Sequence, residues 1–310
     1  MKSDVVGLLL LLLILGAAFA AVAGVQVWLH QSGIGSVEPG MVLVFQVDPE
    51  SEAAGRPVDM AQLLPILEKR INPGWPRRGR VQVVDPGRVE VGIAGDDAAA
   101  TQRIQSLVET QGTLELRILA HPQHHGDLAR RAGASNGPQV RNDANQLLAW
   151  WVPVIKGRQG ILGADGELVK RSVRRDNEQV LEVLVVNDTF QVNGSYLVEA
   201  AASVNEMEQP CLNLTFNETG SSLLAGLTGA NLVGPPFAGP NVAVPPPYRR
   251  LGIILDGRLH SAPAIQNVIS RQAAITGGLS PGEAQDLARV LHAGALPVPL
   301  KRVELFRTAR

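Results

Sequence analysis

The sequence predicts an α+β protein with one N-terminal transmembrane helix, and three observations lead there. An uncharged run starts at Val5 and ends at Val25, about 21 residues. Between 41 and 120, strand-like and helix-like apolar periods follow one another in the order β-α-β-β-α-β. From 180 onward a second series of such signals ends in a strongly capped helix and a last strand.

The first run, VVGLLLLLLILGAAFAAVAGV, is long enough to cross a bilayer as a helix, and Trp28 follows at an interfacial position. Lys2 and the amino group outweigh Asp4 before it, which places the amino terminus in the cytoplasm and the rest outside. A cleaved signal peptide is the competing reading, with Ala21-Val22-Ala23 before Gly24 as a cleavage site. The run exceeds a usual signal core, which favours a retained anchor over residues 1–30. Both readings export residues 31–310, and no other stretch is apolar enough to span.

MVLVFQVD (41–48) is Val- and Phe-rich and predicts a strand. MAQLLPILEKRIN (60–72) places Leu63, Leu64, Ile66, Leu67 and Ile71 near helical spacing, and Asn72-Pro73-Gly74 ends it. RVQVVDPGRVEVGIA (80–94) is two alternating runs about Asp85-Pro86-Gly87, a hairpin signal. Asp96-Asp97 open a helix that stops at Gly112, and TLELRILA (113–120) reads as the strand that closes the set. That order is the split βαβ, or ferredoxin-like, plan.

Residues 121–179 are polar, Gly- and Arg-rich, and irregular, apart from LLAWWVPVI (147–155). Regular signals resume with VLEVLVV (180–186), CLNLTF (211–216) and a helix over 217–232 with Asn217 as its cap. A Pro-rich loop covers 234–248. LGIILDGRLHSAPAIQ (251–266) reads as a hairpin, because Asp-Gly between apolar runs suits a type I′ turn. A short strand at 273–276 follows. Ser280, Pro281 and Glu283 form a capping box with proline at the first helical position, Gly294 ends that helix, and PVPLKRVELF (297–306) is the last strand.

The chemistry in this chain is sparse. The net charge of −1 offers no surplus of cations for phosphate, which argues against nucleic acid. Cys211 is the single cysteine and reads as a buried structural thiol. Asp256, His260 and Ser261 resemble a hydrolytic set only by proximity. His260 and Ser261 are strand neighbours that point to opposite faces, and no nucleophile elbow surrounds Ser261. His121, His124, His125 and Asp127 in HPQHHGD are interrupted by Pro122 and Gly126, so a solvated loop is preferred over a zinc site. Trp150-Trp151 read as a pair half-packed on a sheet edge, Pro245-Pro246-Pro247-Tyr248 as a stiff loop, and the N-x-[ST] matches at Asn187, Asn193, Asn213 and Asn217 as incidental. The expectation is therefore no catalytic residue, no cofactor and no metal.

One long run carries a resemblance. Leu255-Asp256-Gly257, then Ser261-Ala262-Pro263, Ile275-Thr276-Gly277 and Ala293-Gly294-Ala295-Leu296-Pro297 resemble the first periplasmic domain of the SecD family of protein-export membrane subunits. CLNLTFNETGSSLLAGLTGANL, ILEKRINPGW and GTLELRILA resemble earlier parts of the same domain. The resemblance implies a ferredoxin-like base at 31–120, an inserted head at 121–278 with its core at 180–278, and a helix and strand at 279–310 returning to the base. It implies partners as well: the Sec translocon or a SecD/SecF-like membrane partner, unfolded preprotein, and the bilayer through the span from Val5 to Val25.

Two departures accompany it. The family's Asp-Leu-Gln-Gly-Gly opening motif is absent from SGIGSVEPGMVLVFQVD, and the sequence ends at Arg310, before the family's proton-conducting spans. The expected function is non-covalent assistance to export at the cell membrane, with the bulk of the chain periplasmic. The alternatives are an anchored envelope module reusing the scaffold, or half of a split SecD. An enzyme ranks last.

Overall fold

The computed structural model describes residues 40–49, 58–74, 79–85, 87–135, 137–175, 177–232, 248–276 and 278–307. The expected span from Val5 to Val25, the Pro-rich loop through Pro247, and Gly277 lie outside them. Among the described residues no helix is long and apolar enough to cross a membrane.

In chain order the elements are β1 (Met41–Val47), α1 (Met60–Ile71), β2 (Gly79–Asp85), β3 (Arg88–Ile93), α2 (Ala98–Glu109), β4 (Leu114–Ile118), α3 (Gly126–Ala134), β5 (Gln139–Arg141) and β6 (Leu147–Pro153). There follow β7 (Lys170–Arg175), β8 (Glu178–Val186), β9 (Val192–Asn193), β10 (Leu197–Val204), β11 (Pro210–Phe216) and α4 (Glu218–Ala230). The chain closes with β12 (Leu251–Leu255), β13 (Arg258–Ser261), β14 (Gln272–Ile275), α5 (Pro281–Ala293) and β15 (Leu300–Arg307). The fold is mixed α/β, with four antiparallel sheets.

The first sheet has the order β15-β1-β3-β2. Leu43 and Phe45 of β1 and Val89, Val91 and Ile93 of β3 point to one face, as period-two alternation requires. Leu63, Leu67 and Ile71 of α1 and Ile104, Leu107 and Val108 of α2 cover that face and complete a core. The helices start where short acceptors stand. Asp59 accepts from Ala61 N and Gln62 N, and Asp97 accepts from Ala99 N.

TLELRILA does not close this sheet. β4 runs between β12 and β9 in a different sheet, with Leu114 opposite Leu255 and Ile118 opposite Leu251. The place beside β1 is filled by β15, with Val47 opposite Leu300 and Met41 opposite Arg307. The reason is what covers its apolar face and its end. Leu114, Leu116 and Ile118 enter the largest core, while Leu119 enters a second one across the sheet. An alternating pattern marks a strand but does not name its partner.

The rest of the chain from β4 to α5 forms a head of three sheets. β13-β12-β4-β9 is central, and β10-β11-β14 faces it across a core that also takes Leu224 and Leu227 of α4. β5-β6-β8-β7 joins the far side. Residues 121–179, expected as irregular, therefore hold a helix and four strands, β5 to β7 with the start of β8. The helix α5 belongs to both regions, since Val290 lies in the base core and Ala284 and Leu291 lie in the head core. Its capping box is complete: Ser280 N donates to Glu283 Oε2 at 2.8 Å and Glu283 N donates to Ser280 Oγ at 3.2 Å.

Candidate functional site

The chain crosses between base and head twice, at 110–113 and at 294–299, and the runs Asp256-Gly257 and Ala293–Pro297 lie at these crossings. The first crossing leaves α2 through Gly112, whose φ is 84°. The second leaves α5 through Gly294, whose φ is 98°. The two crossings touch, because Leu296 N donates to Gln111 O at 2.8 Å.

Arg70, at the C-terminal end of α1, grips both. Its side chain is fully buried. Nη1 donates to Leu107 O at 2.9 Å and to Thr110 O, and Nη2 donates to Gln111 O at 2.9 Å and Gly294 O at 2.7 Å. These are carbonyls at helix ends, which lack intrahelical donors and carry the negative end of the helix dipole. Burial lowers the Arg70 pKa to about 10, with Asp256 opposing the shift, so it stays charged at neutral pH.

Asp256 and Gly257 take φ of 49° and 69°, the positive values that a type I′ turn requires. The turn also has a second job. Asp256 Oδ1 accepts from Thr113 N at 2.7 Å and Thr113 Oγ1 at 2.9 Å, while Asp256 N donates to Thr113 O at 2.9 Å. The tip of the head hairpin is thus fastened to the first crossing. Nothing in the sequence signals that long-range pairing.

Arg70 carries a sequence signal of its burial. It falls seven residues after Leu63 and three after Leu67, on the apolar face of α1, rather than on the solvated end that its neighbour Lys69 suggests.

The remaining motif residues are placed as follows. Ser261 is buried and its Oγ donates to Thr276 O at 3.2 Å. Ala262 is buried, and its carbonyl accepts from Arg250 Nη1 at 2.8 Å. Pro263 O accepts from Leu251 N at 2.9 Å, Leu255 lies in the head core, and Ile275 pairs with Leu212. Ala293 is buried, as is Leu296, which lies in the base core; Ala295 and Pro297 complete the second crossing.

His260 points the other way from Ser261, into a cleft of about 540 Å³ between α2 and the β12–β13 hairpin. Gln102, Gln105, Ser106, Asp256 and Arg258 share that cleft. Burial, then Arg158, lowers the His260 pKa to about 4, and among the described residues its Nδ1 has no hydrogen-bond partner. Ser261 is therefore not within its reach as a nucleophile. Among the described residues, no group of three or more His, Cys, Asp or Glu is placed to hold a metal ion.

HPQHHGD is a turn leading into α3 rather than a solvated loop. His121 is buried, Gln123 N donates to its Nδ1 at 3.1 Å, and its own N donates to His125 Nδ1 at 3.0 Å. Both Nδ1 atoms accept, so in each neutral ring the proton is on Nε2. Burial lowers both pKa values, that of His125 to about 4 with Arg249 contributing. Trp150 and Trp151 project to opposite faces of β6, each under a guanidinium. Arg117 lies 5.5 Å from the Trp150 ring centre and Arg171 lies 4.3 Å from that of Trp151.

The fold is thus a two-part α/β domain, a sheet-and-helix base carrying an inserted head and fastened to it at two crossings. The crystal structure of SecDF in a super-membrane-facing form superposes with a TM-score of 0.53 at 23% identity, over 86% of this chain and 30% of that one. A second structure, described as a membrane component SecDF that enhances protein export, gives 0.51 at 24% identity, over 86% of this chain and 100% of that one. These likenesses are of fold.

In sequence, residues 167–298 match the family model for the SecDF P1 head subdomain. The SecD translocase subunit of Magnetococcus marinus is 33% identical over 149 residues, 47% of this chain and 25% of that protein. The SecDF subunit of Thermus thermophilus is 26% identical over 270 residues, 86% of this chain and 30% of that protein. The SecD subunit of Rhodothermus marinus is 32% identical, over 70% of this chain and 41% of that protein. The chain belongs to the SecD family through the region that matches the P1 head subdomain. It spans less than half the length of these relatives.

Proposed function

We propose that this chain assists Sec-dependent protein export by non-covalent contact between its head and translocating polypeptide or the translocon. The match of residues 167–298 to the SecDF P1 head carries the reading. On it, the base is ferredoxin-like, since β1-α1-β2-β3-α2 with β15 as the fourth strand gives the sheet order of that plan. The run from Val5 to Val25 is a single-pass anchor in the cell membrane, and the bulk of the chain is periplasmic. The partners are the Sec translocon or a SecD/SecF-like membrane protein, and unfolded preprotein.

The reading is of a protein without enzymatic activity. The paired crossings support it mechanically: a head held by Arg70 and Asp256 is presented in a defined orientation to whatever it binds.

The test is deletion of the gene, with pulse-chase of preprotein processing, together with photocrosslinking from head positions in cells. Slower processing and crosslinks to preprotein or Sec subunits are expected. Unchanged processing with crosslinks confined to envelope components refutes the reading and favours an anchored envelope module.

A further inference from the structure

Among the described residues the four sheets present eight edges, and most are short or carry cations. β5, β9, β13 and β14 have four residues or fewer. β7 carries Lys170, Arg171, Arg174 and Arg175, β15 carries Lys301, Arg302 and Arg307, and β2 carries Arg80. Short strands and long cations are the usual protection against pairing with a foreign strand. β10, LVEAAASV, has neither: it is eight residues long, without proline or a basic side chain, and Glu199 is its one charge. β11 pairs with one side of it. Among the described residues no other backbone hydrogen bond reaches residues 200–203.

The side chains around this edge are apolar and acidic. Val198 and Val204 are each 62% exposed, and Met207 at the hairpin tip is 78% exposed. Met207 is held out by an ordered turn, because Asn205 Oδ1 accepts from Met207 N at 3.0 Å and Gln209 N at 2.9 Å. Glu206 and Glu208 flank it. No Lys, Arg or His occurs from residue 176 to residue 248. The charges on β10 and its hairpin turn, Glu199, Glu206 and Glu208, are thus all negative, while α5, which packs against β10, carries Arg289 and His292.

We propose that the outer edge of β10 is a strand-addition site for an extended polypeptide that carries apolar residues beside Lys or Arg. Backbone groups supply affinity without regard to sequence, Val198, Val204 and Met207 meet apolar side chains, and the three glutamates select a basic neighbour. A second copy of the chain is a poorer fit, since it would set Glu199, Glu206 and Glu208 against their equals. The proposal rests on the export reading and names the surface and chemistry of the contact.

The experiment uses the purified full chain and two fluorescent peptides of alternating valine and either lysine or glutamate. Anisotropy measures binding and amide hydrogen exchange locates it. The lysine peptide is expected to bind and to slow exchange in 197–204. The glutamate peptide is expected to bind at least about tenfold more weakly, and Glu206→Lys/Glu208→Lys to remove most of that preference. Val198→Lys/Val204→Lys, both on exposed positions, is expected to abolish the protection while circular dichroism stays unchanged. Binding with protection elsewhere, or equal binding of both peptides, overturns the proposal and leaves the export reading standing. Self-association through 197–204 with no peptide binding overturns it in favour of a dimer. Binding of neither peptide, with no self-association, counts against both.

Discussion

Replacing Arg70 by methionine tests the fastening of head to base most directly. The aliphatic stem is kept, and four hydrogen bonds are lost. The bond to Leu107 O is buried, and that acceptor loses its charged donor at a cost of about 2 kcal/mol. The other three carbonyls are part-buried and regain water, at about 0.5–1 kcal/mol each. The guanidinium is itself costly to bury, and among the described residues its Nε has no partner, so about 1 kcal/mol returns when it is removed. The net loss is about 3 kcal/mol. Urea unfolding followed by far-ultraviolet circular dichroism measures it, and Arg70→Lys, which keeps the charge but not the fork, is expected to lose about half as much. A loss below about 1 kcal/mol for the methionine variant would show that the four bonds are incidental to stability.

Three other outcomes follow from the same structure. Gly112→Ala is expected to destabilise by about 2 kcal/mol or more, since φ is 84° and the new methyl carbon would stand 2.8 Å from both Arg70 Nη2 and Val290 Cγ1; an unchanged urea midpoint would contradict it. Cys211 is 2% exposed and should resist alkylation in the native protein, reacting only as the head opens, so its labelling rate should rise in step with urea. For His260 the folded pKa is lowered to about 4 from an ordinary 6.5, so the unfolded chain binds more protons between those values. Its favourable contribution is complete above pH 6.5 and is lost as pH falls toward 4; His260→Gln should flatten stability against pH across that window.

Local features of this fold were legible in the sequence wherever a single segment determines them. The I′ turn at Asp256-Gly257, the Ser280 capping box and the Asn217 cap each depend on a few adjacent residues, and each is present in the structure. Partner choice was not legible. TLELRILA reads as the last strand of the base, but an apolar face of Leu114, Leu116 and Ile118 fits any sheet whose core can cover it. β10 leaves no strand signal in the sequence because its centre, Ala200-Ala201-Ala202, carries no strand propensity; pairing with β11 and the core contact of Ala200 make it a strand. The candidate site was half readable. Asp256 was visible as a turn residue but not as the acceptor for Thr113, because a contact across 143 positions leaves no local trace.

The position of β15 also sets an order of events during synthesis. Chains are made from the amino terminus, so β1, β2, β3, α1 and α2 exist long before residue 300 is added. Until then β1, with its sequence MVLVFQV, is a bare edge at the centre of an unfinished sheet. Such an edge invites the wrong partner. The whole head must be produced while that strand waits, and the last eight described residues, Leu300–Arg307, both finish the base and close its most aggregation-prone edge.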